Sequence, residues 1–248
     1  AETRHIGCPE AIAAYEALLA LRCLHARRED AIDELTKFLV MAGGLMHTLA
    51  QSVIPIARCD DLAARIDRNL ATLANLLSTG LFMSAEERHG SGKVLAAFKK
   101  LEDRLRFENP KASALAELLC IEPRITIICH DATAASETRA YWMSEEARRD
   151  FPMCRAAPDV IPCPRGNDDK LRSTAVIVGW FGKRRMPELI QPPIAANLTL
   201  LLYEFESAWS DSLRRACECA RSKRGGRGTR HRLLGNKKLW RSDGAGAP

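Results

Sequence analysis

Aromatic residues are scarce in this chain, at 6% of its length. Ala and Leu dominate instead, a balance that leans toward helices. The spacings that mark common chemical sites are missing as well. No GxSxG, HExxH or GxGxxG appears, so a hydrolase elbow, a zinc-protease helix and a dinucleotide turn are not signalled. There is no CxxC. The close cysteine pairs in sequence are Cys217-x-Cys219 and Cys154-x₈-Cys163, and neither spacing suits a structural zinc. No metal and no cofactor is expected. The start, Ala1-Glu-Thr-Arg-His-Ile-Gly7, lacks a secretory apolar core and an initiator methionine, which reads as a processed chain or a piece of something longer.

The nine cysteines are scattered without a repeated spacing. Cys129 lies in an apolar strand pattern, and Cys23 and Cys120 lie in helical ones. That reads as reduced, packed thiols in a cytoplasmic protein. One run, Phe38 to Ala57, holds no charge and is long enough to cross a bilayer. It also holds His47, Thr48, Gln51, Ser52 and Pro55, which are costly in hydrocarbon. A buried or bent helix is the better reading, with no membrane partner.

Charge is unevenly placed. Residues 213–241 carry eleven Lys/Arg against one acid, Glu218, so the segment is +10 while the whole chain is +6, leaving −4 for the rest. The basic stretch contains Arg221, Lys223, Arg224, Arg227, Arg230, Arg232, Lys237 and Lys238. Its glycine-rich centre describes a flexible tail that neutralises phosphates without reading sequence.

Periodicity divides the remainder. Residues 1–122 read as a helical domain, with helices over most of 9–120. Pro9 opens the first helix. A second runs from about 30 to 41, and Asp60 or Asp61 caps a third. Ser84 and Glu87 have the spacing of a capping box at the head of a fourth, which the pair Gly90 and Gly92 is expected to break. Asn109-Pro110 ends that helix, and a short fifth covers 112–120. Gly90-Ser-Gly-Lys93 is not a phosphate loop. The first glycine would fall on Glu87, the residue after the lysine is Val94, and no strand precedes it.

From residue 123 to 223 short apolar strands alternate with helices. Strands are expected at 124–130, 159–162, 174–179 and 197–203. Helices are expected at 132–149, 183–191 and 204–223. Continuous apolar strands followed by helices describe βαβ units of a buried parallel sheet. The fold class is therefore α/β: a helical N-terminal region, then a small three-layer parallel-sheet domain of the Rossmann-like kind, then a basic tail over 224–248.

Ligands of such sheets sit at the carboxyl ends of the strands. Those ends deliver His130, Asp131 and Thr133, then Trp180, Lys183, Arg184 and Arg185, then Tyr203, Glu204 and Glu206. Lys183, Arg184 and Arg185 could hold a phosphate or a nucleic-acid strand. His130 and Asp131 are the candidate catalytic pair, without an identifiable third member. The plainer alternatives are that Asp131 or Thr133 caps a helix, that the cations are solvated, and that Trp180 and Trp209 are packing anchors.

Ile125-Thr-Ile-Ile-Cys-His-Asp-Ala-Thr-Ala-Ala-Ser-Glu-Thr-Arg139 resembles the opening of the second RecA-like domain of superfamily 1 and 2 helicases. Val176 to Met186, followed by Thr199 to Trp209, resembles the C-terminal part of DrmE-like proteins of the bacterial DISARM antiphage system. The resemblance implies a RecA-like domain and a role in antiviral defence. Gly182-Lys-Arg-Arg185 has arginines but lacks the glutamine- and glycine-arginine-rich pattern around a helicase's arginine finger. Walker A and Walker B are absent, so the chain alone should not hydrolyse ATP. The leading expectation is a non-catalytic helicase-like module that binds nucleic acid, DNA ahead of RNA, in a larger protein assembly. Two alternatives stand beside it. One is a small phosphate-ester or nucleotide-processing enzyme, and the other is a protein-interaction scaffold.

Overall fold

The computed structural model describes residues 1–26, 33–80, 84–154, 157–164, 172–182, 185–190 and 194–207. The tail cations from Arg221 to Lys238, and Lys183 and Arg184, lie outside them, as does the expected helix beyond Ser207. The chain begins with β1 (Glu2–Ile6), where the sequence pattern placed no strand. Helices α1 (Pro9–His25), α2 (Asp33–Gln51), α3 (Asp60–Thr79), α4 (Ala85–Phe107) and α5 (Pro110–Ile121) follow. Then come β2 (Thr126–Cys129), α6 (Ala132–Trp142), α7 (Glu145–Asp150), β3 (Asp159–Pro162), β4 (Arg172–Val178), α8 (Arg185–Ile190) and β5 (Ala195–Tyr203). The described part, Ala1–Ser207, forms a single unit.

The protein is α/β. Its five strands are all parallel, in the order β1-β5-β4-β2-β3. The step from β2 to β3 moves one way along the sheet, and the step from β4 to β5 moves the other way. Right-handed crossovers therefore send α6 and α8 to opposite faces, which makes three layers. β2 is buried at every position and β4 is buried from Ala175 to Val178, as a sheet covered on both sides requires. Thr126, Ile127 and Ile128 of β2 stand opposite Ala175, Val176 and Ile177 of β4.

Several elements differ from their sequence pattern for physical reasons. β1 is polar and buried only at Ile6 because it is an edge strand, so alternation and apolarity do not announce it. Most of the uncharged run, residues 38–51, lies in α2, where Phe38, Leu39, Ala42, Leu45, Met46, Leu49 and Ala50 are buried while Val40, Gly44 and His47 are exposed. Among the described residues, no helix is long and apolar enough to cross a membrane.

α4 is unbroken through Gly90 and Gly92. Gly90 is a close-approach point: a Cβ there would meet Leu21 Cδ1 of α1 at 3.0 Å. The expected helix over 132–149 is two helices, because Ser144 accepts the Ala147 amide and starts α7 afresh. The expected start of α3 shifts by one residue, with Cys59 at the cap. After β5 the chain turns through a 3₁₀ segment, Glu204–Glu206. Cys23 and Cys120 are exposed, which corrects the expectation that they are packed; Cys8, Cys129 and Cys163 are buried.

Candidate functional site at the carboxyl rim of the sheet

The strand order reverses between β2 and β4, and that is where ligands of open parallel sheets bind. β2 ends at Cys129, so His130 and Asp131 stand just beyond it. Asp131 is the N-cap of α6. Its Oδ1 accepts the Ala134 amide at 2.8 Å, and that bond is the main reason its carboxyl is held below the usual range. The second oxygen lies 3.4 Å from His130 Nδ1, with both side chains about half exposed. The His130 ring meets the edge of Phe181 at 5.6 Å between centroids. This is a helix cap beside an exposed imidazole. The arrangement lacks the buried, doubly oriented base of a nucleophilic site.

β4 leads into Gly179-Trp-Phe-Gly182. Both glycines have positive φ, +97° and +95°. Gly179 also faces α2 closely: a Cβ there would lie 3.0 Å from Gln51 Cγ and 3.4 Å from the Ala50 carbonyl. Gln51 Nε2 donates to the Trp180 carbonyl at 3.1 Å. The end of α2 thus lies over the point where the strand order reverses. Trp180 and Phe181 are buried, as packing anchors are. Arg185 opens α8 and is half-buried.

The end of β5 holds a buried polar cluster that the sequence does not announce. Glu206, expected to face the cations at 183–185, is fully buried and paired with Lys111 of α5, Nζ to Oε2 at 2.7 Å. Lys111 Nζ also donates to the Ala50 carbonyl at 2.6 Å and sits 4.3 Å from the Tyr203 ring centroid. Glu206 accepts the Trp180 amide at 2.9 Å and the Tyr203 amide at 2.7 Å. Asn109 caps α5 and donates to the carbonyls of Ser52 and Ile54, 3.0 Å each. Burial pulls the Lys111 ammonium down, and Glu206 opposes that pull. These residues tie α2, α5, β4 and β5 together. A lysine that looks like helix surface in sequence has no pattern that foretells such a pairing.

Beside the rim lies a cleft of about 300 Å³, between α2, α3 and α6. Thr48, Gln51, Arg65, Asp131, Thr133 and Glu137 line it. Arg65 grips Glu137 with two bonds, 2.7 and 2.9 Å. The cleft therefore holds a cation already satisfied by a carboxylate, and the α6 N-terminus already satisfied by Asp131. Phosphate would have to displace both negative groups. Among the described residues, no cluster of His, Cys, Asp and Glu could hold a metal ion. No protein-family model matches the chain, and no curated protein matches it.

Proposed function

We propose that the chain is a non-catalytic, helicase-like module that binds nucleic acid within a bacterial defence or DNA-processing assembly. The observation that carries this reading is the division of charge, +10 in residues 213–241 against −4 elsewhere. A segment with that density attracts phosphates by counterion release, and the remainder is mildly acidic on balance. Contact would come from Arg221, Lys223, Arg224, Arg227, Arg230, Arg232, Lys237 and Lys238, with Lys183, Arg184 and Arg185 at the strand ends adding to it.

The parallel sheet suits the helicase-like reading, and the rim chemistry weighs against turnover. Asp131 serves as a helix cap, Glu206 is consumed by Lys111, and the chain has no Walker motifs. These points weigh against a phosphate-ester enzyme built on His130 and Asp131. Filter binding to duplex DNA at two salt concentrations tests the proposal, with the full chain beside a version lacking residues 213–248. The full chain should bind with affinity that falls steeply with salt, and the truncation should lose most of it. Binding that ignores salt, or survives truncation intact, would falsify the reading.

A further inference from the structure

Cys120, in the last turn of α5, and Cys154, which follows α7, are 34 positions apart, yet their sulfurs lie 3.6 Å from each other. Among the described residues this is the one thiol–thiol contact within 4 Å, and both cysteines are free. α5 leads into β2 and Cys154 precedes β3, so the pair sits at the amino-terminal edge of the sheet, opposite the rim with the cleft. Cys120 is exposed and Cys154 is partly so, with exposed Ile121 and Met153 beside them. A small thiol reagent can therefore reach both, whereas Cys8, Cys129 and Cys163 are shut inside the core.

We propose that Cys120 and Cys154 are a modification site: a dithiol that closes to a reversible disulfide and staples the β2–α6–α7 segment into a loop. The sulfurs must move from contact to a bond length of about 2.05 Å, a side-chain adjustment between two residues already facing each other. The oxidant is a small disulfide of the glutathione class. The Cys120 thiolate attacks one sulfur of that disulfide, whose S–S bond breaks and releases one small thiolate. Cys154 gives its proton to solvent and attacks the Cys120 sulfur, releasing the second small thiolate. The protein dithiol is oxidised by two electrons and the small disulfide is reduced to two thiols.

The order follows from surroundings. Cys154 donates to the Ala116 carbonyl at 3.1 Å, and burial together with its bond to Cys120 pushes its thiol up to about 12. Cys120, the more exposed thiol, therefore attacks first and Cys154 resolves. The closed loop contains α6, which supplies Asp131, Thr133 and Glu137 to the cleft.

The test uses the full chain equilibrated with oxidised glutathione, then alkylated and digested for disulfide mapping by mass spectrometry. The expected product is a cross-linked peptide pair joining Cys120 to Cys154, lost in C120S and in C154S. The oxidised wild type should melt about 8 °C above the reduced form, because the bond closes a long loop of the unfolded chain, and the variants should show no such gain. Full alkylation of both thiols, separate glutathione adducts on each, or a bond to another cysteine would overturn the site. A cross-link that leaves the melting point unmoved would overturn the staple. Should either variant fail to fold, the wild-type map alone decides.

Discussion

Lys111 and Glu206 concentrate the energetic risk of the molecule in one pair of side chains. Two charges that are entirely buried are tolerable only while each satisfies the other. Lys111→Met should cost about 3–5 kcal/mol in urea unfolding, since it strands a buried carboxylate. Adding Glu206→Gln to Lys111→Met should recover part of that loss. A double variant as unstable as the two single losses summed would show that the residues do not act as a pair. Asp131 offers a second test at this scale. Its folded-state carboxyl lies below the usual range, so its contribution is present above the unfolded value and disappears as pH falls through the folded one. Asp131→Ala should cost about 1 kcal/mol at neutral pH. The difference between wild type and variant should shrink below about pH 4, and a gap that stays constant down to pH 2 would exclude the charged cap.

Helix ends and strand-end turns decide how the elements start and meet. The capping box of α4 was legible from Ser84 and Glu87 alone, and both of its bonds are present, 3.2 and 2.7 Å. Such a box is a purely local arrangement of four residues, which is why spacing suffices to find it. Ser84→Ala should lower stability by about 1 kcal/mol, read from the chemical-denaturation midpoint. The turn after β4 was not legible. Gly179 and Gly182 look equivalent in sequence, and both need positive φ. Only Gly179 is pressed against α2, whereas a Cβ on Gly182 would meet open space. Gly182→Ala should cost about 1–2 kcal/mol from backbone strain alone, and Gly179→Ala distinctly more. Equal losses would mean that the close approach of α2 has no energetic weight. The Gly90–Gly92 pair carries a related lesson: Gly90, which suggests a broken helix, instead lies where a Cβ would come 3.0 Å from Leu21 Cδ1 of α1.

At the scale of the whole molecule, charge and fold are separable. The basic excess lies entirely within residues 213–241, and the unit Ala1–Ser207 carries the sheet and its helices. Removing residues 213–248 should therefore leave the cooperative thermal transition in place while most of the salt-dependent retention of DNA is lost. In the full chain, the slope of log affinity against log salt should fall by about 0.9 for each phosphate contact removed by a Lys or Arg to Gln change in the tail. A slope indifferent to three such changes would remove the tail from the interface.

Sequence alone determined what is local or additive: the α/β class, the four apolar strands of the back part, the caps at Ser84 and Asp131, and the lopsided charge. Each follows from residue type, spacing or a sum. Tertiary structure decided what depends on residues far apart in the chain. It brought Glu2–Ile6 beside β5, set Lys111 against Glu206, laid the end of α2 over Gly179, and put Cys120 next to Cys154. The physical reason is that strand order and crossover direction choose these neighbours, and no periodicity within a short window records which distant segment will arrive.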